Sequence, residues 1–331
     1  MKWWQKKWVK SIFRIALALI ILFCGIWLYI AQPSFSSNDP SERTADPASL
    51  RQHVDYLVTD CYPRTAVKGG KLAKAADYIE AQFRQFSQRV ESQEYTIYDW
   101  EEHRNIIASF GPAEGKKLII GAHYDAHDHT PGADDNASGV AGLLELARLL
   151  ENESLDMQIQ LIAYSSEEPP YFRSKDMGSR VHAASLEDQK DDITGVIVLE
   201  MIGYFDDSFG SQSYPLYTLH AFYPSRGNFI TVVGNLSQRA FTKQVKVGMK
   251  GATEMPVYSI NAPKAMPGID FSDHASYWQH EMTAVMVTDT AFYRNPHYHE
   301  ETDTLDQLDF ERMAQVVTGV HAAALKIANG K

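Results

Sequence analysis

Five segments carry side chains able to hold metal ions: GAHYDAH with His123, GADDNASG with Asp134 and Asp135, SSEE with Glu167 and Glu168, VLEMIGY with Glu200, and NPHYHEETDT with His299. Each lies at or just beyond the end of an apolar run that reads as a core strand. In open, mostly parallel sheets, ligands collect outside the carboxyl ends of the strands. A two-metal hydrolytic site needs ligands for each ion, a bridging carboxylate and a base for the attacking water. Imidazoles and carboxylates suit zinc and leave positions open for water and substrate. As a set, the segments argue for a metal-dependent hydrolase.

Singly, each segment has a plainer reading. His123 and Asp125 form a His-x-Asp pair in which the carboxylate could fix the imidazole tautomer, or both could simply hydrogen-bond in a strand-end loop. Asp134, Asp135 and Asn136 are also what a turn and helix cap would use. Of the adjacent Glu167 and Glu168, one can bind an ion while its neighbour acts as base, or both can be solvated. Glu200 ends a strongly apolar run, where an unpaired carboxylate is costly; a ligand role or a salt bridge would account for it. Around His299 stand His297, Tyr298, Glu300, Glu301 and Asp303, so the segment alone does not show which residue binds. His127 and His129 read as loop residues, and His274 in SDHASYW as a support for the site rather than a ligand.

The elements that must position these residues follow from periodicity. A helix is expected from Asp46 as N-cap with Pro47 at its first position, and a second after GGK with Leu72, Ile79, Phe83 and Phe86 on one stripe. Strands are expected near 94–98, 105–110 and 117–122. Helix and strand then alternate: helix 138–151, strand 158–164, helix 177–186, strand 194–200. Alternation of this kind implies parallel pairing with right-handed crossovers. Residues 205–270 read as part sheet and part covering insertion, with a helix near 236–247. Strand 284–288 and a helix from about Phe310 to Ala328 close the chain. The expected fold is α/β, a mixed, mostly parallel central sheet flanked by helices, in one catalytic domain over 48–331.

The N-terminus is of another kind. Lys2, Lys6, Lys7, Lys10 and Arg14 precede 17 uncharged residues, Ile15–Ala31, the short end of what spans a bilayer. Trp3, Trp4 and Trp8 on one side and Trp27 and Tyr29 on the other suit its two interfaces. The segments expected are thus a cytoplasmic basic segment 1–14, a transmembrane anchor 15–31 and a polar linker 32–47. The positive-inside bias places the catalytic domain outside the cytoplasm, in a periplasmic or extracellular space. A cleaved signal peptide is the competing reading, disfavoured by bulky Tyr29 two places before Ala31. The net charge of −11 becomes −16 once those five cations are set aside, which argues against nucleic acid as a partner. Cys61 is the lone cysteine beyond the apolar segment, so no intrachain disulfide is expected in the domain.

The AHYD, PGADDNASG, SSEE, SDHASYW and YHEETDT segments together resemble the di-zinc aminopeptidases of metallopeptidase family 28, over roughly residues 48–328. That family also holds glutamate carboxypeptidases, glutaminyl cyclases and the inactive transferrin receptors. The resemblance implies a zinc-exopeptidase fold, two Zn2+ ions per chain, with other divalent ions as the alternative, and peptide substrates with a free N-terminus. It makes His123 and Glu200 ligands of opposite ions, Asp134 the bridge, and Glu168 and His299 the remaining ligands. It makes Glu167 the general base and Tyr298 a donor to the developing oxyanion, with Asp125, Asp135 and His274 in support. It further implies a cis peptide at Asp134–Asp135.

Two departures stand out. Glu200 occupies a position that is often Asp, and PPYFRSKDMGS, after the paired glutamates, brings two prolines that could reshape a specificity pocket. The activity expected is that of a membrane-anchored metallo-aminopeptidase. A glutaminyl cyclase-like transferase and an inactive receptor-like ectodomain are the alternatives; His123, which cyclases lack, and the retained base speak for the hydrolase.

Overall fold

The computed structural model describes residues 3–35, 39–67, 70–98 and 101–330, and of Trp3–Lys7 the helical backbone alone. Lys2, the side chains of Trp3, Trp4, Lys6 and Lys7, Gly69 of the GGK turn and residues 36–38 of the expected linker lie outside it. The chain opens on α1 (Trp3–Ile30), in which Trp8–Ile30 is long and apolar enough to cross a bilayer. Then come α2 (Pro47–Thr59), α3 (Leu72–Phe86), β1 (Val90–Ile97), β2 (Glu101–Phe110) and β3 (Lys117–His123). They are followed by α4 (Gly139–Leu150), β4 (Gln158–Tyr164), α5 (Gly178–Ser185) and β5 (Ile193–Glu200). The last third holds β6 (Ile230–Asn235), α6 (Arg239–Met249), β7 (Val257–Ala262), α7 (His274–Gln279), β8 (Ala284–Thr288) and α8 (Phe310–Ala328).

The eight strands form one sheet in the order β1-β2-β4-β3-β5-β8-β6-β7. Its centre, β4-β3-β5-β8, is parallel, while β2 and β6 run antiparallel to their inner neighbours β4 and β8. The carboxyl ends of the four central strands therefore open on one side. Those strands are buried along nearly their whole length, as a sheet covered on both faces requires. Alternation in β3 shows the two layers. Leu118, Ile120 and Ala122 join a core shared with α2, α3, α4, α6 and α8, whereas Ile119 faces the layer of α5 and α7.

Local chemistry explains the element ends. Asp46 caps α2 by accepting from the Ala48 amide at 3.0 Å, with Pro47 where its missing N–H costs nothing. Asp309 does the same for α8 through the Arg312 amide. Gly121 is needed where β3 passes Tyr164, since a Cβ there would lie 2.2 Å from the ring. Before α2 the chain runs along the domain surface: the Ser41 amide donates to the Ala252 carbonyl, Arg43 to the carbonyls of Arg148 and Glu151, and the Ala45 amide to the Thr318 hydroxyl.

Candidate active site

At the open end of the sheet, two clusters of metal-ligating side chains share one residue. His123, the last residue of β3, places Nε2 3.4 Å from Glu200 Oε2 at the end of β5 and 3.4 Å from Asp135 Oδ1. The other oxygen of the same carboxylate, Asp135 Oδ2, lies 3.2 Å from His299 Nε2, which is 3.4 Å from Glu168 Oε1. His123, Asp135 and Glu200 thus form one candidate cation site, and Asp135, Glu168 and His299 the other.

Three sequence expectations are corrected by this geometry. The shared carboxylate is Asp135 and not Asp134; His123 and Glu200 fall in one cluster and not on opposite sides; and the cis peptide is Asp135–Asn136. The reason lies in the turn between β3 and α4. Asp134 points back into the protein, accepting from the Gly203 amide at 2.9 Å and from Asn295 Nδ2 at 2.8 Å. It also meets the buried Asp289 carboxyl. Burial and the charge of Asp134 hold the Asp289 pKa well above the carboxylate range, so the two carboxyls can share a proton. Asn136 ties the turn to β5 by donating to the Leu199 carbonyl and accepting from the Met201 amide. With its two neighbours turned inward, Asp135 is the acid that faces the opening.

Other buried groups hold the site's backbone in place. The Asp125 carboxylate accepts from the amides of both Glu167 and Glu168, at 3.0 and 2.9 Å, and its Oδ1 lies 3.3 Å from His123 Nδ1. Asp303 accepts in the same manner from the amides of Asp134 and Asp135, at 2.9 and 3.1 Å. Arg64, fully buried, donates to the carbonyls of Pro131 and Gly132. Gly132 itself adopts φ 60°, where a Cβ would meet the Asp135 carbonyl. Ser272 donates to Glu200 Oε2 at 2.6 Å. Ser166, Met201 and His299, at or beside candidate ligands, all have positive φ, which is uncommon for side-chain-bearing residues.

The charges explain what such a site is for. Burial alone would lower the His123 pKa, but Glu200, Asp125 and Asp135 hold it well above 6.5. His299 is likewise pushed up to about 10, by Asp135 and Glu168 against the effect of burial. Burial, with Asp135 nearby, raises Glu168 to about 7, and burial with Glu168 and Glu200 raises Glu167 strongly. Both ring nitrogens of His123 and Glu168 Oε1 are buried without a well-formed hydrogen bond. Orphaned ligand atoms of this kind need a partner. With neutral imidazoles, the three carboxylates of the two clusters and Glu167 carry four negative charges, which two divalent cations would neutralise. The donor set fits zinc.

Tyr298 stacks on His299 at 3.8 Å, and His127 on that same ring at 4.0 Å. Burial and the surrounding carboxylates raise the Tyr298 pKa far above its usual value, so its hydroxyl remains a donor. His274 accepts no ligand role: its Nε2 meets the Ile269 carbonyl at 2.8 Å and its ring sits on Trp278. An apolar cavity of about 90 Å3 leads from Glu200 and Tyr298 into the domain, walled by Phe229, Ile260, Met266 and Phe292 among others. Apart from Glu200 its walls come from residues 212–298, so the two prolines after Glu168 do not line it; that loop packs behind one wall, with Phe172 and Arg173 against Phe271. Of these bracing residues Arg64 carried no signal in the sequence, whereas Asn136, Ser272, Asn295 and Asp303 lay within segments already singled out.

The model of Peptidase family M28 matches residues 105–324. The uncharacterized protein YfbL of Escherichia coli is 47% identical over 93% of this chain and 97% of its own length. Leucine aminopeptidase 1 of Fusarium vanettenii is 26% identical over 66% of this chain, which spans 53% of that protein. Among solved structures, the LapA aminopeptidase of Legionella pneumophila superposes with a TM-score of 0.68 at 21% identity, over 86% of this chain and 72% of that one. A glutaminyl cyclase of Bacteroides thetaiotaomicron superposes at 0.62 and 20%, over 87% and 99%.

Proposed function

The chain belongs to peptidase family M28, and on that premise we propose that it is a membrane-anchored two-zinc aminopeptidase. The observation that carries this reading is the Asp135 carboxylate, one oxygen directed to each ligand cluster. Zinc ions held by His123, Asp135 and Glu200 and by Asp135, Glu168 and His299 would polarise the scissile carbonyl and acidify the attacking water. Glu167, buried beside both clusters and with a raised proton affinity, takes the proton of that water and returns it to the leaving amine. Asp125 fixes the base through its backbone, because it accepts from the amides of Glu167 and Glu168 together. The Tyr298 hydroxyl donates to the oxyanion that develops on the carbonyl oxygen.

Substrate selection follows from the surroundings. The carboxylate-rich end favours a free α-amino group, and the cavity beyond Glu200 and Tyr298 favours an apolar first side chain. The apolar helix α1 is read as an uncleaved single-pass anchor with the catalytic domain outside the cytoplasm. Glutaminyl cyclisation is the second reading, since a cyclase shares the fold; the intact His123 cluster favours hydrolysis.

The test is mass spectrometry of a mixed pool of free and N-acetylated peptides incubated with the detergent-solubilised full chain, zinc-loaded or chelator-treated. Metal-dependent loss of N-terminal residues from the free peptides alone is expected, apolar residues first. Loss of ammonia from Gln-starting peptides without trimming would make the protein a cyclase, and no change with metal bound would make it a binding module.

A further inference from the structure

The outer end of α1 does not stand clear of the domain. Phe23 packs on Phe222 with ring centroids 4.8 Å apart, and Trp27 and Ala31 join a cluster with Leu219 and Tyr223. An apolar groove lies between helix residues Ile21, Leu22, Gly25 and Ile26 and the domain's Leu219, Leu236, Ile260 and Met266. The helix terminus is pinned as well. Arg239 donates to the Tyr29 carbonyl at 2.9 Å and lies 3.8 Å over its ring. Lys246 and Ser259 donate to the Ala31 carbonyl at 3.0 and 2.9 Å, and Lys250 to the Ser34 carbonyl at 2.7 Å. Cations at a helix C-terminus satisfy its orphan carbonyls and oppose its dipole.

Length then decides where this contact sits. A bilayer core is about 30 Å thick, and a helix rises about 1.5 Å per residue. If the residues from Ile21 onward, which touch the domain, stood in water, the uncharged part left would be Ile15–Ile20, about 9 Å. Even counting back to Trp8, past Lys10 and Arg14, it would be about 20 Å. Neither spans. The outer half of α1 must therefore stay in lipid, and whatever touches it lies at the same depth. Near it the domain exposes Leu216 (51%) and Tyr217 (87%), on the turn that also carries Leu219 and Phe222, and Leu236 (40%), just after β6; together they make an apolar rim. Next to the rim, residues 236–250 carry no acid in a chain of net charge −11; Lys243 is exposed there, Arg239 and Lys250 are half-buried, and Lys246 is buried against the helix end. Basic groups at that level attract anionic headgroups.

Resting on the anchor reading above, we propose that the rim of Leu216, Tyr217, Phe222 and Leu236, with the basic face of α6 beside it, is a membrane-docking surface sunk into the outer leaflet of an anionic bilayer. The helix is then a rigid strut rather than a flexible tether. Leu219, Ile260 and Met266 wall both the groove and the active-site cavity. Docking thus sets that cavity one layer of side chains from lipid.

The test uses the full chain carrying Cys24→Ser, in nanodiscs of phosphatidylcholine with or without phosphatidylglycerol. Single nitroxides are placed by Leu19→Cys, Tyr217→Cys, Leu236→Cys and Glu91→Cys. Glu91 is exposed on β1, the sheet edge opposite β7. Collision with lipid-soluble oxygen should exceed collision with an aqueous nickel chelate at 19, 217 and 236, and the order should reverse at 91. The excess at 217 should grow with phosphatidylglycerol; no growth would overturn the headgroup assignment. Lipid exposure at 19 with water exposure at 217 and 236 would overturn docking and leave the anchor standing. Water exposure at 19, or its absence from the mature chain, would overturn the anchor and the docking together.

Discussion

Two adjacent aspartates, Asp134 and Asp135, differ in role because one points inward and the other outward, and substitution separates them. Asp135→Asn removes an oxygen from between His123 and His299, so the purified variant should lose most of its metal by elemental analysis. Asp134→Asn keeps an acceptor for the Gly203 amide and leaves both clusters whole, so metal content should be retained. The reverse pattern would return the bridge to Asp134. Glu167→Gln is the complementary case. It touches neither cluster and removes the base, so turnover should fall about 10²–10⁴-fold, the usual worth of a positioned general base, with metal content unchanged. Near-normal turnover of zinc-loaded Glu167→Gln would reject its catalytic role.

At the scale of elements, what was legible was what local chemistry dictates. Period and caps predict α2 from Asp46 and Pro47, and the apolar runs locate β4, β5 and β8 within a residue of where they lie. The strand ends that carry the candidate ligands followed from the same runs. Which aspartate faces both clusters was not legible, because it depends on contacts from afar: Asn295 and Gly203 draw Asp134 inward, and Asp303 clamps the turn. The seat of α1 was hidden for a like reason, since Arg239 and Lys246 meet it from more than two hundred residues away. The turn between β3 and α4 is therefore built from outside itself, which gives it a distinct weakness. Asp303→Ala would leave the Asp134 and Asp135 amides without their acceptor, at about 1–3 kcal/mol each. Metal affinity should fall about 10–100-fold, as for other outer-shell partners, read by zinc titration against a competing chelator. Unchanged affinity would mean that the turn holds its shape unaided.

Taken whole, the domain encloses imidazoles that cannot charge without cost, and this sets its response to acid. His182 and His321 are buried. Burial pushes their pKa values down, to about 3 and about 4. At His321 the groups that face it are Glu153 and the Leu149 backbone, which raise the value, and Arg43 and Arg148, which lower it. In the unfolded chain both imidazoles titrate near 6.5. Below that pH the unfolded state binds protons that the native state does not, so stability falls as pH falls. Above pH 6.5 neither histidine contributes a slope; at pH 5 each should have removed about 2 kcal/mol. His321 isolates the effect, because neither of its ring nitrogens makes a well-formed side-chain hydrogen bond, and leucine can fill its place without leaving a donor unpaired. Urea unfolding of the full chain and of His321→Leu at pH 7.5 and pH 5 should show the variant losing about 2 kcal/mol less than the parent between the two. Metal release in acid acts on both proteins alike and cancels in that difference. Equal losses would mean that His321 takes up its proton in the folded domain, with Glu153, 3.9 Å away, outweighing the burial.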